Sequence, residues 1–150
     1  MDGMWMALAL VVVASPGPET SALADPKPAD APSGVVVRFF VKTKHNRGKV
    51  RCGLYTNQKT WLSSGYISKA TVVSTQKHAV CVFENVLPGR YAISAYHDAN
   101  DNGRLDRNFI GLPEEDFSFS EGARAGLGPP SFKDAAFQVK QAPVETHGRM

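Results

Sequence analysis

The sequence predicts an all-β fold, an antiparallel β-sandwich of six or seven short strands. Three observations carry this. Short segments alternate apolar and polar residues with the period of two that half-buries a strand. Turn-forming Asn, Gly and Pro separate those segments. No stretch of ten or more residues keeps apolar side chains at the i, i+3, i+4, i+7 spacing of a helix buried on one face.

The elements follow in order along the chain. Met4–Ala14 is a run of 11 apolar residues, too short for the roughly 20 that cross a bilayer. A polar, proline-containing stretch and the A-x-A pattern Ala22-Leu23-Ala24 come next, so residues 1–24 are expected to be a secretory signal peptide cut after Ala24. The start, MDGMW, departs from that pattern by carrying Asp2 and no base; initiation at Met4 would remove the acid. Residues 25–34, DPKPADAPSG, read as a flexible linker. In VVVRFFVK, Val37, Phe39 and Val41 point one way and Arg38 and Lys42 the other, and Asn46-Arg47-Gly48 turns the chain. KVRCGLYT places Val50, Cys52 and Leu54 inward, with Lys49 and Arg51 outward toward solvent. Residues 57–65 are loop-like, and a weak strand is expected over 70–74. HAVCVFENV is apolar on both faces, as a central strand would be. Leu87-Pro88-Gly89-Arg90 fits a type II turn with Gly89 at positive φ. RYAISAYH is the return strand, and DAAFQVK places Ala135, Phe137 and Val139 on one face. The folded domain is expected over 35–141, with 142–150 a disordered tail. Such strands form a sandwich of the immunoglobulin-like or transthyretin-like kind.

The chain of 150 residues suits one domain, and a hydrophobic share of 43% is ordinary for a globular protein. Removing residues 1–24 takes away two acids and no base, raising the net charge from +3 to +5. The bases are scattered, without a basic stretch interleaved with aromatics, which predicts no nucleic-acid partner. After signal cleavage no membrane span is expected. Cys52 and Cys81 form an even pair in a chain expected to be exported, and a disulfide between them is predicted.

The segment His97–Asn108, HDANDNGRLDRN, carries the most chemical information. Asp98, Asn100 and Asn102 fall at positions 1, 3 and 5 of a D-x-N-x-N-G pattern, with Gly103 sixth, Arg104 seventh and Asp106 ninth. In a calcium loop this spacing gathers three side-chain oxygens, the backbone carbonyl at position seven and a ninth ligand around one ion. All-oxygen donors suit Ca2+ or Mg2+. Phe109 stands where the bidentate Glu belongs, so a further carboxylate from Glu114, Glu115 or Asp116 would be needed. A weak site, with Kd on the order of 10⁻⁴–10⁻³ M, is the expectation. The same residues also suit a plain turn: Asn102-Gly103 is a preferred hairpin pair, and Asp and Asn satisfy loop backbones through their own side chains.

Taken together, NVLPGRYAISAYHDANDNGRLDRNFIGLPEEDFSFS and GPPSFKDAAFQV resemble an exported bacterial family, domain of unknown function 2141. The matching positions are Pro88, Gly89, Tyr91 and Ala92; His97 through Asn108; Gly111, Pro113 and Glu115; Phe119 and Ser120; and Gly128 through Phe132 with Ala135. Asp116 stands where that family often has glycine, and the resemblance covers about residues 35 to 140. It implies an exported protein without an established activity. The P-G-x-Y turn is also similar to that of Cna B-type and transthyretin-like sandwiches, a likeness of fold that does not fix function.

Enzyme signatures are weak. His45, His78 and His147 lie in segments separate from His97, and no H-E-x-x-H pattern occurs. The glycine-rich GARAGLGPPSF lacks the G-K-[S/T] ending of a phosphate loop, and Ser118 and Ser120 occupy no G-x-S-x-G elbow. No catalytic residue is assigned. The sequence therefore points to an exported, non-enzymatic module, periplasmic or extracellular, with a Ca2+ loop and an envelope or extracellular protein or glycan as partner. Two alternatives stand beside it: a small hydrolase or transition-metal protein using His97 with nearby carboxylates, and a sugar- or peptide-binding sandwich exposing aromatics from 61–66 and 109–119.

Overall fold

The computed structural model describes residues 33–150. The expected signal peptide and all but the last two residues of the linker lie outside the described residues. Eight strands form two sheets: β1 Val35–Lys42, β2 Lys49–Tyr55, β3 Ser68–Val73, β4 His78–Val86, β5 Gly89–Asp98, β6 Phe117–Phe119, β7 Ala136–Val139 and β8 Val144–Arg149. The smaller sheet has the order β4-β1-β8; the larger runs β3-β2-β5-β6, with β7 also pairing β5. All pairs are antiparallel except β1 with β8, which run parallel.

Alternation sets the core between the sheets. Val37, Phe39 and Val41 from β1 meet Val50, Cys52 and Leu54 from β2, Ala79, Cys81 and Phe83 from β4, and Tyr91, Ile93 and Ala95 from β5. Each β5 residue facing inward is set by register: Val50 lies opposite His97, Cys52 opposite Ala95 and Leu54 opposite Ile93. Cys52 and Cys81 are bonded with Cα atoms 6.4 Å apart, so the disulfide joins the two sheets through the core.

Four expectations are corrected. First, β4 is an edge strand and β1 the centre of its sheet, because β8 takes the far side of β1. Val82 of β4 is accordingly exposed, while Phe40 of β1 stacks on His147 of β8. Second, the tail 142–150 is not disordered over Val144–Arg149. Its polar sequence hid the strand, but Thr146 is buried and Gly148 lies where a Cβ would run into Phe39 and Ser118. Third, the weak strand expected over 70–74 begins two residues earlier and ends at Val73. Fourth, Gly89 opens β5 without positive φ; Asn85, at φ 54°, takes the left-handed conformation instead. A Cβ at 89 would press on the Tyr91 ring, whose hydroxyl donates to the Leu87 carbonyl at 2.8 Å and holds it there.

A second apolar cluster covers part of the outer face of the larger sheet. Tyr55, Ala92 and Phe119 project from that face and are roofed by Trp61 and by the short helix α1, Phe132–Ala135. Ser131 and Asp134 form a reciprocal capping box at the helix start, and those hydrogen bonds hold the Asp134 carboxyl below its usual range. The Trp61 indole N–H donates to the Pro130 carbonyl at 2.8 Å, which ties the 57–66 loop to the segment before the helix.

Candidate functional site: the outer face of the larger sheet

Paired residues in a sheet share a face. On the outer face β3 supplies Lys69 and Thr71, β2 supplies Arg51, Gly53 and Tyr55, β5 supplies Ser94 and Tyr96, and β6 supplies Phe117 and Phe119. One end of this face is sealed by the Trp61 cluster. The other end carries the 98–108 loop.

That loop is organised around a buried ion pair. Asp98 has no solvent exposure, and its carboxylate accepts from Arg51 Nε at 2.6 Å, from the Gly103 N–H at 2.8 Å and from the Asn102 N–H at 3.0 Å. Burial by itself would raise the Asp98 pKa; the Arg51 hydrogen bond and the two backbone donors outweigh it and hold the carboxyl below its ordinary value. The same hydrogen bond raises Arg51. Arg51 Nη2 also donates to Asp101 at 2.8 Å, and Lys49 reaches Asp101 at 2.6 Å. Arg51, read from sequence as a solvent-facing strand residue, is thus the cation at the centre of the loop. Only the register between β2 and β5, which the sequence does not state, could have found it.

The remaining Asp and Asn residues close the loop upon itself. The amides of Asn100 and Asn102 donate to Asp106 at 2.7 Å and 2.8 Å. Asn100 Oδ1 accepts from the Asn102 N–H at 3.1 Å, and Asn102 Oδ1 from the Arg104 N–H at 2.9 Å. Glu115 accepts from the N–H groups of Ala99 and Asp106, while Asp116 pairs with Lys44 on the far side. Left-handed φ falls at Asp101 (56°) and Gly103 (81°). Asp98, Asn100, Asn102 and Asp106 are therefore gathered within one loop as the spacing suggests. Among the described residues, no group of three or more His, Cys, Asp or Glu has the arrangement of a metal site.

His97 and Asp98 are adjacent in a strand and point to opposite faces. The His97 ring enters the core with 1% exposure, contacts the Arg47 carbonyl through Nε2 at 2.5 Å and lies against His45 with ring centres 4.4 Å apart. The Nδ1 atoms of both rings are buried without a hydrogen-bond partner. Burial, then the neighbouring His97 and Arg47, lower the His45 pKa below 6.5. His97 hydrogen-bonds none of the loop carboxylates, so nothing here assembles it into a base–nucleophile pair or a metal set.

Between the loop and the Trp61 cluster lies a cleft of about 770 Å³. This lies within the ~300–1,000 Å³ typical of ligand sites. Its floor is the small pair Gly53 and Ser94, which face each other across β2 and β5. Three loops wall it, carrying Leu62 and Tyr66, Leu105 to Pro113, and Ala125 to Pro129. Leu112 (57% exposed) and Leu127 (fully exposed) stand on the rim, and Phe109 projects from the tip of the middle loop. Of the aromatics expected to be exposed, Trp61 and Phe119 are instead core and Phe117 is half-buried against them, whereas Tyr66 and Phe109 are exposed. Arg51, Lys69 and Arg107 line the cleft, and no carboxylate does.

A family model described as an uncharacterized protein conserved in bacteria, domain of unknown function 2141, matches residues 40–147. No curated protein and no solved structure matches the chain. The chain belongs to that family.

Proposed function

We propose that this family member is an exported, non-enzymatic β-sandwich module that holds a cell-envelope or extracellular protein or glycan in the cleft on its larger sheet. The cleft is the observation that carries this reading. The outer face of a solvated sheet ordinarily presents polar side chains; here it is concave, aromatic-walled and rimmed by exposed leucines, features of an interaction site. Export rests on the leader-like residues 1–24, and the Cys52–Cys81 bond supports it, because disulfides persist in oxidising compartments. No helix among the described residues is long and apolar enough to cross a membrane. Two measurements test the reading. Mass spectrometry of the exported chain should find Asp25 at its N-terminus. The protein should be retained by washed envelopes, and the exposed-rim variant Leu112→Asp/Leu127→Asp should lose retention at unchanged Tm. Undiminished retention by that variant, or none by the wild type, would defeat it.

A calcium role for the loop is a second reading, favoured by the convergence of Asn100 and Asn102 on the Asp106 carboxylate. Rotating both amides by half a turn would turn their oxygens toward Asp106 and set three oxygen-bearing groups around one point; the sequence spacing adds Asp98 and the Arg104 carbonyl to that set. The rotation sacrifices the two amide-oxygen hydrogen bonds to Asn102 and Arg104, and Arg51 would repel the ion, so binding is weak. A folded-state ligand stabilises by RT ln(1 + [L]/Kd), or about 1.4 kcal/mol at 10 mM for a Kd near 1 mM. Thermal unfolding in 10 mM Ca2+ against chelator should show that gain, and Mg2+ should not reproduce it. Equal midpoints would leave the loop to Arg51 alone.

A further inference from the structure

We infer that the occupant of the cleft is an anionic oligosaccharide, a chain of sugars bearing carboxylates, read by Lys69 and Arg107 and stacked on Tyr66, Tyr96 and Phe117. This rests on the reading of the cleft as a binding site and names the chemistry it would take.

Charge is the first reason. The three ionisable groups of fixed charge that line the cleft are all cations. Arg51 is already committed to Asp98 and Asp101. Lys69 and Arg107 have no carboxylate partner among the described residues, and Arg107 meets only the Gly111 carbonyl, at 2.9 Å. Lys69 comes from β3 at one side and Arg107 from the middle loop, so two cationic arms border one floor. A ligand with negative charges along its length complements that pattern.

Backbone pairing is the second reason, and it separates a glycan from a peptide. An extended peptide gains affinity by adding main-chain hydrogen bonds at a free strand edge. The cleft floor has no such edge: β2 is paired with β3 on one side and β5 on the other, and β5 in turn with β6 and β7. Over the floor, recognition falls to side chains; the outer edges of β3 and β6 lie only at its borders. The hydroxyls of Ser94 and Thr71 can exchange hydrogen bonds with sugar hydroxyls, and aromatic rings pack against the apolar C–H faces of pyranose rings. Tyr66 is 40% exposed and lines the cleft. Gly53 on the floor leaves room for the Tyr55 ring, which packs over it and presents a further aromatic surface beside Ser94.

The test uses the purified protein in chelator, with amide chemical shifts followed during titration. The probes are an oligomer of galacturonic acid, a neutral galactose oligomer of equal length, and an oligoglutamate of similar charge. The uronate should shift Gly53, Thr71 and Ser94 and bind at least tenfold more tightly than either other probe. Its affinity should fall with salt and drop at least tenfold in Lys69→Glu/Arg107→Glu, whose positions are on the surface and whose Tm should be unchanged. Equal binding of the neutral oligomer, tighter binding of oligoglutamate, or indifference to the charge reversal would overturn the inference. Envelope retention that persists in the face of any of these leaves the module reading standing; its loss along with them removes both.

Discussion

Replacing Asp98 with Ala removes the buried carboxylate that ties the 98–108 loop to the sheet, leaving the more exposed Asp101 as the loop's other link to Arg51 and Lys49. Three donors converge on Asp98 within 3.0 Å: Arg51 Nε and the N–H groups of Asn102 and Gly103. Hydrogen bonds to a charged acceptor contribute roughly 1.5–3 kcal/mol each, and removing one partner of a buried pair costs about 3–5 kcal/mol. Arg51 keeps 27% side-chain exposure and Asp101 as a partner, so water and Asp101 recover part of the loss. The expected cost of Asp98→Ala is therefore about 3 kcal/mol, a fall of roughly 10–15 °C in Tm for a domain of this size. Arg51→Met leaves the buried carboxylate with two backbone donors and should cost about 2 kcal/mol. Urea unfolding of both single variants and the double variant gives the coupling, expected at about 1.5–2.5 kcal/mol because the residues touch. A coupling near zero, or an Asp98→Ala loss under about 1 kcal/mol, would refute the idea that Arg51 organises this loop.

Acid should destabilise the protein in two stages. His45 has a folded pKa lowered by burial and by His97 and Arg47, with Asp116 opposing. The unfolded chain therefore takes up the proton more readily, and the stability from His45 is full above about 6.5 and lost as pH falls toward its folded value. Asp98 acts below this, its contribution present above about 3.8 and lost as pH falls through its depressed folded pKa. Tm measured from pH 7.5 to 5 should decline, and His45→Phe, which keeps a ring against His97, should reduce the slope; an unchanged slope counts against the assignment. Reduction of Cys52–Cys81 reopens a loop spanning 29 positions and should cost about 3–4 kcal/mol, read by urea unfolding with and without dithiothreitol. A loss under about 1 kcal/mol would mean the core alone holds the sheets together. Gly148→Ala should cost about 1–3 kcal/mol and speed hydrogen exchange across β8, because the added methyl meets Phe39 and Ser118; a neutral result would show that β8 lies loosely on β1.

Local alternation determined most of this fold. The inward sets of β1, β2 and β5 were legible because a strand's two faces differ only by parity, and an apolar residue at every second position states which face is dry. In β7 this held for Phe137 and Val139, whereas Ala135 ends the capped helix α1 and packs in the second cluster. The same parity put Cys52 and Cys81 on faces that could meet, and their pairing follows from nothing more distant than two strands. Partner choice between strands is a different kind of information. β8 reads as a polar tail because VETHGR has few apolar residues; only docking beside β1 shows that Thr146 and Gly148 are the small groups Phe39 requires. β4 looked central because it is apolar on both faces, yet sheet order, which depends on long-range pairing, made it an edge. The candidate site divides along the same line. Sequence spacing gathered Asp98, Asn100, Asn102 and Asp106 because those residues lie in one turn. It could not supply Arg51, 47 residues away, or unite Lys69, Ser94 and Arg107 around one cleft. Local periodicity determines which residues face inward, whereas long-range register determines which charges meet. That register exists only once the two sheets have packed.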